Sequence, residues 1–217
     1  MATIADLWGE LLRLGWMSRL EEALGAAACG DVAGVDEAGR GGLAGPVVVA
    51  AVIPEPTRRV AGVDDSKKLD ARARERLAVE IRLGARAWAI AAIPAAEIDA
   101  TDVLAATRHG AREALARLGR RPGVVVTDAL PLPGLEIACL PVVKGDAWCY
   151  AVACASILAK VERDRLLTDL DRDFPHYGFA RHKGYGAPEH LRALARFGPS
   201  PVHRLTFARV VPRREAA

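Results

Sequence analysis

The run Val47–Ile53, VVVAAVI, is apolar at every position and stops at Pro54. β-Branched residues dominate it, so it reads as a strand, and a strand without a polar face must be covered on both sides. Residues 32–37 read as a second strand, and the glycine-rich stretch 39–45 suits a tight connection between the two. Residues 88–93, 124–127 and 137–143 supply three further apolar runs of strand length, the second entered from a turn at 120–123. Between and after them, residues 71–82, 95–118, 150–170 and 188–197 carry helix formers or helical apolar spacing, the last with proline in its first turn. The expected architecture is α/β: a mixed sheet of about five strands, partly antiparallel at its start, with helices on both faces.

Two flanking segments complete the plan. Within residues 3–26, Ile4, Leu7, Trp8, Leu11, Leu12, Leu14 and Leu20 recur at mainly helical spacing, which predicts an amphipathic helix packed on the domain. Residues 1–28 are therefore expected as a helical extension, 29–170 as the main domain, and 171–217 as a wrapping C-terminal extension with a frayed tail. With 51% apolar and 26% charged residues, the 217-residue chain is not disordered. A net charge of +3, from 30 basic and 27 acidic residues, is too mild to announce a nucleic-acid partner. Cys29, Cys139, Cys149 and Cys154 lie in apolar surroundings without a C-x-x-C pair, so they read as reduced buried thiols, not as zinc ligands or disulfides. Charges scattered through the first 28 residues exclude a secretory signal, and no uncharged run is long enough to cross a bilayer. A soluble, cytoplasmic, monomeric protein is expected.

The chemistry concentrates in residues 34–45, GVDEAGRGGLAG. Asp36 and Glu37 end a strand and run into a glycine turn, where loops place side chains within reach of a ligand. Gly39, Gly41 and Gly42 around Arg40 let backbone amides approach a bulky group closely. A strand follows this turn, so it is no dinucleotide fingerprint. Asp128 follows the fourth strand, and Asp146 sits just before a helix, where it could equally serve as a cap. Should the four carboxylates converge, their mutual repulsion would call for Mg²⁺ or Mn²⁺. Ser66, Lys67 and Lys68 offer a hydroxyl and two cations at a helix start, which suits phosphate or simple capping. Lys144 and Lys160 also stand out in an arginine-rich chain, and Lys183 with Tyr185 combines a cation and an aromatic plane between glycines.

Five stretches in order, GVDEAGRGGLAGPVVVAAVI, DDSKKL, KGD with ASILAKVERD, YGFARHKGYG and HRLTF, resemble the type 2 ribonuclease H family, ribonuclease HII. The match covers residues 32–207. The resemblance implies a ribonuclease H-like fold with a helical C-terminal extension, cleavage of RNA in RNA–DNA hybrids, and nicking of duplex DNA on the 5′ side of a lone ribonucleotide. It implies Asp36, Glu37, Asp128 and Asp146 as the catalytic, metal-binding set for Mn²⁺ or Mg²⁺. In that scheme one ion activates water and another stabilises the leaving 3′-oxygen, giving 3′-hydroxyl and 5′-phosphate ends. Gly39, Arg40 and Gly41 would contact the 2′-hydroxyl and Tyr185 would stack near the junction, with Ser66, Lys67, Lys144 and Lys183 as further substrate contacts. Asp164 also matches a family position and reads as structural.

Gly42 stands where proline is common, and Ala129 where glycine is common. The five histidines lack a paired Ser or Cys motif and read as surface or structural residues. A junction resolvase is disfavoured by the intact G-R-G segment with Tyr185. The type 3 enzyme is disfavoured because only about 30 residues precede the first strand. A catalytically silent or differently specific nucleic-acid-binding protein of the same fold is the rival from another class, and the four carboxylates oppose it.

Overall fold

A computed structural model describes residues 3–211, with the side chains of residues 28 and 29 left aside. Five strands form one sheet: β1 (Val32–Ala38), β2 (Val47–Ile53), β3 (Ala87–Ile93), β4 (Val124–Asp128) and β5 (Ala138–Val142). Their order is β3-β2-β1-β4-β5. β1 pairs antiparallel with β2, and β2 with β3. β1 pairs parallel with β4, and β4 with β5. Every residue of β2 is buried, which is why its sequence has no polar face.

The helices are α1 (Ile4–Leu24), α2 (Ala71–Gly84), α3 (Ala95–Ala100), α4 (Val103–Arg117), α5 (Gly145–Trp148), α6 (Tyr150–Asp173), α7 (Phe179–His182) and α8 (Pro188–Phe197). One face of the sheet carries α6 and α2, whose Leu77, Ile81, Ile157 and Leu158 pack over Val48, Ala50 and Val52. The other carries α3 and α4, with Ile98, Ala111 and Ala114 against Val47, Val49 and Ala51. α6 crosses β1 so closely that a Cβ on Gly34 would fall 2.1 Å from the Ala151 carbonyl carbon. Only glycine fits there. Among the described residues no helix is long and apolar enough to cross a membrane.

Three sequence expectations need correction or a boundary. α1 packs through its second half, with Leu14, Met17, Ser18 and Glu21 buried and Leu20 and Leu24 partly buried. Ile4, Leu7, Trp8, Leu11, Leu12 and Trp16 are exposed, because the first turns extend past the domain and have nothing to pack against. Cys149 and Cys154 are buried, Cys139 is half-buried, and all three are free thiols; the Cys29 side chain lies outside the described residues. Most of the tail expected to fray, residues 212–217, is likewise outside them.

Candidate active site

Because β1 and β4 run parallel, their carboxyl ends share one edge of the sheet. Side chains along a strand alternate between faces. Val32, Val124 and Val126 face α6, packing with Ala151 and Val152, whereas Ala33, Val35 and Val125 belong to the opposite layer. Counting by two, Asp36 and Asp128 fall on the α6 face. Asp146 arrives from α5, the short turn that delivers the chain into α6. Carboxylate oxygens of Asp36, Asp128 and Asp146 lie within 4.8 Å of one another.

Asp36 is buried and accepts the Glu37 N–H at 2.7 Å. Burial, followed by the neighbouring charge of Glu37, holds its carboxyl well above the usual range despite a hydrogen bond from Ser156. The Ser156 hydroxyl lies 2.8 Å from that of Ser66, and both serines are buried. Ser66 therefore turns its hydroxyl inward, toward the serine that donates to Asp36. Asp128 accepts the Gly145 N–H at 2.9 Å, which ties β4 to α5. Asp128 is followed by Ala129 in the left-handed region, φ 49°, the position that glycine favours; alanine adopts it at a cost of about 1–2 kcal/mol.

Asp146 is not a helix cap: Lys144 and Cys149 occupy the capping positions of α5 and α6. It is buried, and burial, then Asp65 and Asp128, raise its pKa while Lys67 opposes them. The Lys67 amine stands 3.5 Å from Asp146 and 3.9 Å from Asp65. Asp65 also caps the single 3₁₀ turn of residues 66–68 through the Lys67 N–H. This acidic neighbour and Ser156 are the two site residues that sequence reasoning did not single out. Ser156 lies in an apolar helical run and reads there as packing.

Glu37 is not within the 4.8 Å cluster. Alternation starts its side chain on the opposite face from Asp36, yet the charges of Asp128 and Lys67 still reach its carboxyl. Its Oε1 accepts from Arg40 at 3.3 Å, and its buried Oε2 has no partner. Burial raises its pKa against the pull of Arg40. Lys144 is exposed in a left-handed conformation beside Asp146. Lys183 points elsewhere, its amine donating to the Thr168 hydroxyl at 2.8 Å and the Asp164 carbonyl at 3.3 Å. Asp164 itself pairs with Lys160 at 2.6 Å on α6.

The turn at 39–45 is knitted to the C-terminal extension. Leu43 N–H donates to the Gly184 carbonyl, Gly45 N–H to Val202, and Arg204 N–H to Leu43. Tyr185, 39% exposed, therefore stands beside the glycine turn. Gly41 faces open space.

Three mutually close carboxylates, two of them with raised pKa values, have one amine within 4 Å among the described residues, that of Lys67. That excess of negative oxygen, with the orphaned Oε2 of Glu37 nearby, fits a hard divalent cation.

The ribonuclease HII family model matches residues 33–210. The chain belongs to the ribonuclease HII family. Ribonuclease HII of Rhodococcus erythropolis is 48% identical over 201 residues, 92% of this chain and 89% of that protein. The Mycobacterium tuberculosis protein of that name is 51% identical over 196 residues, 89% of this chain and 74% of its own length. Among solved structures, ribonuclease H2 of Pyrococcus horikoshii superposes with a TM-score of 0.74 at 26% identity, covering 83% of this chain and 95% of that one. Ribonuclease HII from the PCNA complex of Archaeoglobus fulgidus gives 0.67 at 30% identity, covering 80% and 92%. The chain is accordingly a hydrolase, a metal-dependent endoribonuclease of the class that acts on RNA–DNA hybrids.

Proposed function

We propose that Asp36, Asp128 and Asp146, with Glu37 at their edge, bind Mn²⁺ or Mg²⁺ and cleave on the 5′ side of a ribonucleotide, in an RNA–DNA hybrid or alone in duplex DNA. The observation that carries this reading is the convergence of three carboxylates within 4.8 Å with one lysine to offset them. Bound divalent cations would supply a nucleophile at neutral pH and charge for the leaving 3′-oxygen.

The chain's own residues do the rest. Asp128, fixed by Gly145, and Asp36, fixed by its own backbone and Ser156, hold their oxygens without reorganisation. Lys67, 77% exposed at its side chain, reaches outward from Asp146 and can meet a substrate phosphate. Gly39, Arg40 and Gly41 leave the same strand that carries Asp36, so a 2′-hydroxyl read by that turn lies next to the carboxylates. Tyr185 offers its ring for stacking on the same side. Lys144 contributes a second exposed cation, whereas the inward Ser66 and the engaged Lys183 act by support. One chain supplies every group named, so a monomer suffices, and the free thiols accord with a cytoplasmic setting.

The test is a duplex carrying one ribonucleotide, incubated with Mg²⁺, with Mn²⁺ and with chelator. A nick on the 5′ side of that residue, dependent on metal and leaving 3′-hydroxyl and 5′-phosphate ends, is expected. Cleavage elsewhere, or cleavage that survives chelation, refutes the reading.

A further inference from the structure

Two guanidiniums lie fully buried beneath the glycine turn, and every hydrogen bond they donate goes to a main-chain carbonyl. Arg163 of α6 donates to Pro46 at 3.2 Å, Ala44 at 3.2 Å and Lys183 at 2.9 Å. Arg204 donates twice to Gly45, at 3.1 and 2.9 Å, and once to Arg40 at 2.8 Å. Asp164 and Asp99 offset these charges only from a distance, without a direct ion pair, so burying them opposes folding, and an apolar side chain would fill the space at lower cost. The geometry of these bonds shows what the charges secure.

A trans peptide points its C=O and the following N–H in opposite directions. Arg204 draws the Arg40 carbonyl inward, so the Gly41 N–H is turned outward, and a Cβ on Gly41 would meet no atom within 4 Å. Arg163 lies under the Tyr185 ring, 5.0 Å from its centroid. A Cβ on Gly39 would fall 1.8 Å from its Nε, and one on Gly42 2.6 Å from its Nη2. The guanidinium thus occupies the space those two glycines leave. Through Lys183 and the turn carbonyls it fixes the distance between the turn and the segment bearing Tyr185.

We propose that Arg163 and Arg204 are positioning residues for ribonucleotide recognition: together they aim the Gly41 N–H and set the Tyr185 ring before substrate arrives. This rests on the reading of the turn and Tyr185 as the ribonucleotide contact. Neither arginine touches the reacting atoms. The planar fork is essential, since a lysine in the same place is a point charge that cannot make three hydrogen bonds to carbonyls at fixed angles.

Arg163→Lys and Arg204→Lys, made in the full chain and assayed with Mg²⁺ on a single-ribonucleotide duplex, test it. KM should rise on the order of tenfold with kcat within about threefold, because the carboxylates are untouched while the reader is misaligned. Adding Tyr185→Leu to Arg163→Lys should raise KM by less than the product of the single effects. A purely structural role predicts the converse: a lower unfolding temperature, fewer active molecules and reduced kcat at unchanged KM. That pattern, or failure of both lysine variants to fold, overturns the proposal. Wild-type enzyme that makes no cut at the ribonucleotide refutes the underlying functional reading instead, so the two failures are distinct.

Discussion

Two aspartates bracket the central strand, and the fold treats them in opposite ways. Asp31, immediately before β1, accepts from Arg120 and from Arg86 at 2.7 Å, and Arg86 also grips Glu55 at 3.0 Å. Burial works against the Asp31 charge, yet these arginines hold its carboxyl below the ordinary range. Asp36, five residues along, is buried far more deeply and has no guanidinium beside it, and its carboxyl is pushed up. The residue type is the same, and depth of burial together with the partners decides its use. At the first end of the sheet the protein completes the pairing itself, so the charge stabilises the fold. At the second it leaves negative charge uncompensated, which folding alone would not favour.

Exchanging each aspartate for asparagine separates these roles most strongly. Asp36→Asn should lower kcat by at least about 10²–10³-fold, while the metal-free unfolding temperature stays level or rises as like-charge repulsion is relieved. Asp31→Asn should leave kcat unchanged and cost about 1–2 kcal/mol of stability through lost charge-assisted hydrogen bonds. Cleavage kinetics and thermal melts in chelator measure both. Equal stability losses in the two variants would erase the contrast.

Cation binding gives a smaller effect in the same direction. At a Mg²⁺ or Mn²⁺ concentration near 100 times its Kd, the wild-type chain should gain about 2.7 kcal/mol. Asp31→Asn should keep that gain and Asp36→Asn should lose most of it. Unfolding curves with and without metal decide the matter; stabilisation that persists in Asp36→Asn would place the cation elsewhere.

How much of this was legible beforehand follows from which forces leave a local trace. The all-apolar β2 showed that the sheet is covered on both faces, and strand ends with carboxylates pointed to the cluster. Other features had no local signal. Nothing around Ser66 says that its hydroxyl turns inward to Ser156, since that contact spans 90 residues. Lys183 looked like a free cation because Thr168 and the Asp164 carbonyl reach it from another helix. Arg163 and Arg204 carry no local mark of their role, because only the folded turn brings carbonyls to them. The apolar residues of α1 gave correct helical spacing but not its direction, which depends on where the domain surface ends.

The smallest expected effect concerns a third kind of buried polar site, in which neutral groups pair only with one another. Ser200 N–H donates to His203 Nδ1 at 2.9 Å, so the His203 proton sits on Nε2 and donates to His190 Nε2 at 3.0 Å. His190 Nδ1–H then donates to the Tyr185 carbonyl at 2.8 Å. Both rings must be neutral for this chain to form. Burial, reinforced by His190, brings the His203 pKa down to about 4, and burial lowers that of His190 as well. The unfolded chain, with histidine near about 6.5, then binds more protons than the folded one. Stability from this pair is complete above about 6.5 and is lost as pH falls toward about 4. Asp36 opposes that trend in metal-free protein, since its raised pKa makes protonation favourable to the fold. Melts between those limits should therefore be made in Asp36→Asn, where the decline should steepen, and adding His203→Gln should flatten it. A His203 ring that titrates near 6.5 by NMR would show that the neutral relay does not hold the Tyr185 backbone.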